Sequence, residues 1–214
     1  MMENYIEKIN NFYMPSNGIR KLMPEWQKQP KQISSYTRNQ KVCIEAGGYI
    51  GHYTSIYSDI FDTVYSFEPD PLNFYCLNKN VQNDNVIKMQ CCLGDSHGLV
   101  GITLPVKHRD KEVVRTGMYY VTDNGVIPTI LIDDLKLEAC DLIQLDIEGY
   151  EIHALRGALS TIEEFRPTIC LEINKSLKNF NYSKKDVYNF LHSLNYIETD
   201  FINEDVIFQP KEFV

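Results

Sequence analysis

Two kinds of residue in this chain have the type and spacing to do chemistry: a glycine cluster and a set of carboxylates that end apolar runs. Residues 44–54 read IEAGGYIGHYT, a short apolar run closing at Glu45 and Ala46, then Gly47, Gly48 and Gly51. A glycine turn leaving a strand lets backbone approach a ligand with no Cβ in the way. Glu68 ends a second run, VYSFEP, and a carboxylate there can accept hydrogen bonds from both hydroxyls of a ribose. Asp146 and Glu148 stand in QLDIEG, and Glu172 in CLEIN. Carboxylates at neighbouring strand ends can hold a cationic group, orient or deprotonate a hydroxyl, or ligate a hard divalent cation. The turn suits either a nicotinamide dinucleotide or S-adenosylmethionine. A G-x-G-x-x-G alignment places Ala46 at its first glycine, whereas acidic-x-Gly-x-x-x-Gly fits Glu45, Gly47 and Gly51 unaltered.

The elements that position these residues alternate. KVCIEA, TVYSFEP, NVIKMQC, DLIQLDI and RPTICLEIN read as strands, with YIETDF and DVIFQP as closing strands. Between them, Tyr53, Ile56, Tyr57, Ile60 and Phe61 recur at helical spacing, PLNFYCLNKNV opens with a proline suited to a first helical turn, and GYEIHALRGAL reads as helix. Val187, Phe190, Leu191 and Leu194 give one more helical stripe. GLVGITLP and GVIPTILIDDL look extended, with a polar connection between them. The alternation predicts one α/β domain over 41–214: a Rossmann-like, doubly wound, mainly parallel seven-stranded sheet with helices on both faces. Residues 1–40 stand outside it as an N-terminal helical or irregular cap or lid, with a helix expected over 3–13.

The net charge is −8 and the basic residues are dispersed, which argues against a nucleic-acid partner. No apolar run approaches the roughly 18–20 residues of a membrane span, and the first residues lack the apolar stretch of an export signal. Cys43, Cys76, Cys91, Cys92, Cys140 and Cys170 form no Cys-x-x-Cys pair, and read as buried thiols of a cytoplasmic protein.

The strings IEAGGYIGHYT, VYSFEPDPLNFYCLNKNV, CLGDSHG and IDDLKLEACDLIQLDIEGYEIHALRGA, followed by RPTICLEI, resemble in order and spacing the FkbM-type methyltransferases. These are class I enzymes that use S-adenosylmethionine, and the resemblance runs from about Lys41 to Asn174. The chain departs from that pattern at Tyr49, where Asn is more usual, and at Gln144, where Lys is. The resemblance implies transfer of a methyl group to a hydroxyl of a sugar or other small polar acceptor; the lack of a long apolar run implies no membrane partner. The alternative is a chain that keeps the fold and the binding site without the chemistry. For the cofactor it implies Ala46, Gly47, Gly48, Tyr49, Gly51, Tyr53 and Thr54 around the methionine end, with Glu45 toward the ammonium. Glu68 and Pro69 fall at the ribose, Cys92, Leu93 and Asp95 at the adenine, and Asp146 at the sulfonium end. Asp146 and Glu148 are the catalytic candidates, Asp146 as base. Glu172 is a candidate for the acceptor, as are His108, Arg109 and Arg115 in the basic stretch PVKHRDKEVVRTGMYY. No metal is assigned, although Asp146 and Glu172 leave a divalent cation open. His52 and His192 are expected on helices, His97 in a turn and His153 at the surface.

Overall fold

The computed structural model describes residues 5–9, 11–16, 25–104 and 116–214. The chain enters as a hairpin, not the helix expected over 3–13: β1 (Ile6–Ile9) and β2 (Phe12–Pro15) pair antiparallel, Ile6 opposite Pro15. Asn11 takes φ 69, a left-handed turn conformation that Asn tolerates and a continuing helix forbids. Met14 is fully buried against Ile50 and Cys76, which fixes the hairpin to the body. Asn80 adds a polar clamp, accepting from Tyr13 N–H at 2.7 Å and donating to the carbonyls of Tyr13 and Ile50 at 2.8 and 2.7 Å.

α1 (Glu25–Ser34) leads into β3 (Val42–Ala46), α2 (His52–Ser58), β4 (Thr63–Phe67), α3 (Pro71–Asn80) and β5 (Val86–Met89). Pro71 opens α3, and Asp70 caps it by accepting from the N–H groups of Leu72 and Asn73 at 3.0 and 2.9 Å. β6 (Cys92–Leu93), β7 (Gly98–Thr103) and β8 (Tyr120–Ile130) make a separate three-stranded sheet in the order β6-β8-β7. The chain then returns through β9 (Leu142–Leu145), α4 (Glu151–Arg156), α5 (Leu159–Phe165), β10 (Thr168–Glu172), α6 (Lys184–Ser193), β11 (Tyr196–Ile202) and β12 (Asp205–Pro210).

The main sheet has seven strands in the order β11-β12-β10-β9-β3-β4-β5. It is mixed: β10-β9-β3-β4-β5 are parallel, while β12 runs antiparallel to both β10 and β11. A tight turn at Asn203, φ 58, folds β11 and β12 into a hairpin, and that reversal makes the last edge antiparallel. Alternate residues of the central strands serve opposite faces. Ile44, Ile143 and Ile169 join Ile152, Ile162 and Leu191 of α4, α5 and α6. Cys43, Leu142 and Cys170 join Ile33 of α1 and Tyr57 of α2. All six cysteines are free and buried, and no described helix is long and apolar enough to cross a membrane.

Strand order reverses between β3 and β9, the pair whose chain continues in opposite directions across the sheet. Here the two loops nearly touch: Asp146 N–H donates to the Ala46 carbonyl at 3.0 Å, and a Cβ on Gly47 would lie 2.1 Å from the Asp146 carbonyl oxygen. Gly47 also has φ 89. Gly47→Ala is expected to cost more than about 2 kcal/mol, combining a left-handed backbone with a backbone clash. Urea denaturation of the two proteins measures it.

Candidate active site

A cavity of about 350 Å³ opens at this reversal, over the carboxyl ends of the parallel strands. The glycine turn forms one side, with Ala46, Gly47, Gly48, Tyr49 and Tyr53 on the lining. The turn is internally braced. Gly47 and Gly48 donate to the Phe67 carbonyl, both at 3.0 Å, and Tyr49, at φ 49, donates its N–H to Glu68 Oε2 at 2.8 Å. Glu68 Oε1 accepts from Asp70 N–H at 2.8 Å, so two backbone donors fix the carboxylate at the end of β4. Burial outweighs those bonds and raises its pKa to about 8. Pro69 lines the cavity beside it.

Glu45, Gly51 and Thr54 sit behind the wall instead of on it. Glu45 is 1% exposed and accepts from Thr54 Oγ1 at 2.6 Å through Oε2. Its Oε1 has no hydrogen-bond partner among the described residues, and burial lifts its pKa to about 7. Gly51 caps α2 with φ 86.

Cys92 and Leu93 reach the cavity from β6, but Asp95 does not. Asp95 is engaged elsewhere, its Oδ2 lying 2.8 Å from His153 Nδ1. His153 is therefore half-buried, not a surface residue: it stacks on Tyr150 at 4.3 Å with an 18° interplanar angle. Tyr150 in turn forms part of the cavity wall.

Asp146, Glu148 and Glu172 meet on the opposite side, each offering an oxygen within 4.8 Å of the others'. Glu148, at φ 54, and Gly149, at φ 102, curl the chain after β9, and a Cβ on Gly149 would strike the Ser176 carbonyl oxygen at 2.4 Å. Glu151 Oε1 holds the curl by accepting from the N–H groups of Ile147 and Gly149 at 3.3 and 3.1 Å. Ser176 Oγ donates to Glu148 Oε2 at 2.9 Å, and the Asn174 amide donates to Glu172 Oε2. Asp146 is exposed on the cavity, with protein packed around its carboxylate. That enclosure, with Glu172, Asp205, Glu148 and Glu151 nearby, holds its proton affinity well above the usual carboxylate range. Glu172 shifts the same way, through burial first and Glu148 second.

His108, Arg109 and Arg115 lie outside the described residues. The segment that follows them, Thr116 to Tyr119, does line the cavity. Tyr49 reaches it through its hydroxyl, 3.1 Å from Thr116 Oγ1, and Asn73 donates to the Thr116 carbonyl at 2.8 Å. Asn73, Met118, Tyr119, Tyr150 and Glu204 were not singled out from the sequence. The first carries a weak local signal, three residues after a helix-capping Asp, and the others reach the site only through tertiary folding.

Similar folds occur in solved structures. An FkbM methyltransferase from Methylobacillus flagellatus KT is 20% identical, with a TM-score of 0.52, over 82% of this chain and 45% of that one. A precorrin 8w decarboxylase from Methanobacterium thermoautotrophicum is 12% identical, TM-score 0.53, over 95% of this chain and 98% of that one. A precorrin-6y C5,15-methyltransferase from Geobacter metallireducens is 12% identical, TM-score 0.50, over 93% of each chain. No curated protein matches this sequence. These likenesses show an α/β fold shared with solved methyltransferases. Residues 45–198 match the FkbM methyltransferase domain, and the chain belongs to that family.

The buried carboxylates give the structure a pH signature. An acid whose pKa is raised by folding binds more protons folded than unfolded between the two values, so stability falls as pH rises through that interval. Glu45 and Glu151 rise from 4.5 to about 7, Glu68 from 4.5 to about 8, and Asp205 from 3.8 to about 6. The chain alone should be most stable near pH 5 and lose at least about 5 °C of melting temperature by pH 8. A flat or rising profile in thermal unfolding contradicts these assignments.

Proposed function

We propose that this chain is an S-adenosylmethionine-dependent methyltransferase acting on a hydroxyl of a small polar or carbohydrate-like acceptor. Family membership over residues 45–198 carries the reading. The cavity supports it: the glycine turn lines one side, and the carboxylates Glu68, Asp146, Glu148 and Glu172 lie on its walls.

The residues present fit the cofactor. Glu68 is fixed by two backbone donors, and its remaining lone pairs suit the ribose hydroxyls. The unpartnered Oε1 of Glu45, behind the turn, favours a positive charge at the methionine end. Cys92, Leu93 and Tyr150 offer a half-apolar wall for the adenine. When bound, the cofactor supplies a methyl group on a cationic sulfonium for in-line displacement. The chain's own work is alignment of the acceptor oxygen, plus acceptance of its proton. Asp146, which faces the cavity, is the candidate for the second task, the other carboxylates around it raising its proton affinity. Glu148 and Glu172 orient the acceptor, with residues 105–115 and parts of 1–40 contributing to its choice. In this reading residues 41–214 are the catalytic unit and residues 1–40 its cap.

Isothermal titration is the direct test. S-adenosylmethionine should bind and NAD(H) should not; heat with the latter alone overturns the reading. Glu68→Ala should weaken cofactor binding by about 1–3 kcal/mol, the loss expected for a charged hydrogen-bonding group. Methyl transfer to a panel of sugars, nucleotide sugars and glycans then identifies the acceptor, and Asp146→Asn should lower kcat far more than cofactor affinity.

A further inference from the structure

We propose that Asp95 is a positioning residue for the base of the cofactor: through His153 it sets the ring of Tyr150, and the base packs on that ring. The inference deepens the function proposed above and rests on it.

The arrangement begins with spacing. Tyr150 caps α4 and His153 follows three residues on, so both side chains leave the helix on one side. Their rings stack with centroids 4.3 Å apart and an 18° interplanar angle. Phe180 meets both edge-on, at 5.0 Å from Tyr150 and 6.0 Å from His153, and Tyr182 meets His153 at 5.6 Å. Tyr150 stays partly exposed and lines the cavity, as Cys92 and Leu93 do. An aromatic ring held at a cavity wall suits a planar base, which stacks on it.

The turn after β6 holds that ring twice. A Cβ on Gly94 would lie 3.4 Å from Tyr150 Cε1, so the ring edge rests on the Gly94 backbone. Asp95 Oδ2 lies 2.8 Å from His153 Nδ1 and so restrains the imidazole that stacks on Tyr150. The turn is itself anchored. Gly94 N–H donates to the Ile130 carbonyl at 3.0 Å, and a Cβ on Gly157, just past α4, would strike the Gly94 carbonyl oxygen at 1.9 Å.

Asp95 does this work from outside the cavity. It is not on the lining, and its second oxygen, Oδ1, accepts from Ser96 Oγ at 3.4 Å. A hydrogen bond at one ring nitrogen fixes which way an imidazole faces. Without it His153 is free to turn out of the stack, and Tyr150 loses the support behind it. The alternative, a direct bond from Asp95 to the amino group of the base, predicts a different response to the ligand.

Calorimetric titration of the full chain compares S-adenosylhomocysteine with S-inosylhomocysteine, which has an oxo group where adenine carries its amino group. Tyr150→Leu should weaken binding of both by about tenfold or more, and Tyr150→Phe, which keeps the ring, by no more than about twofold. Asp95→Ala and His153→Ala should each weaken both ligands by about fivefold. The double variant should bind no more weakly than His153→Ala alone, because Asp95 acts through the imidazole. Asp95→Asn keeps a hydrogen bond to the imidazole and should recover most of the loss. A loss in Asp95→Ala confined to S-adenosylhomocysteine means a direct bond to the amino group and overturns the proposal. Losses that multiply in the double variant overturn it too, as does unchanged affinity in Tyr150→Leu. Asp95 and His153 are both partly exposed, so the cycle between them stands even if Tyr150→Leu does not fold. A wild-type chain that binds neither ligand removes the methyltransferase reading along with this one. Wild-type binding with unmoved variants removes this one alone.

Discussion

The close passage of two backbones at the centre of the sheet governs the rest of the molecule. β3 and β9 are hydrogen-bonded neighbours whose connections leave in opposite directions, and the loops at their ends must share one small space. A side chain on Gly47 would occupy the place of the Asp146 carbonyl. Because that contact is permitted, the glycine turn and the acidic curl face each other across a cavity instead of filling it. The brace from Tyr49 to Glu68 and the hold of Glu151 on Gly149 then fix the two rims independently.

Much of this was legible in the sequence because each signal is local. A nearly continuous apolar run such as LIQL, broken by Gln144, suits a strand covered on both faces, and it lies in the parallel part of the sheet. Carboxylates placed just after such runs must emerge at the sheet's edge, so Glu68, Asp146 and Glu172 reach one cavity. The failures are equally physical. Residues 6–15 have apolar positions that suit helix or strand, and only the left-handed Asn11 decides for the hairpin. The sheet is mainly parallel as expected, but which edge runs antiparallel follows from a turn at Asn203 that the hydrophobic pattern does not mark. Asp95 sits beside an expected adenine wall, but a helix distant in sequence brings His153 to claim it.

The electrostatic arrangement runs against ordinary stability. Burying acids without cations is unfavourable, and here at least four carboxyl groups titrate well above their normal range. Two hydrophobic clusters, one on each face of the sheet, supply the stabilisation that makes this tolerable.

The six buried thiols have a use that their chemistry does not advertise. Burial pushes every one of them above its ordinary pKa, so in the closed chain almost no thiolate exists for an electrophile to meet. Cys43 and Cys170 lie in the middle of the main sheet, and Cys92 lies in the small one beside the cavity. An alkylating reagent thus becomes a clock, counting how often each layer breathes open and whether the small sheet parts before the large one.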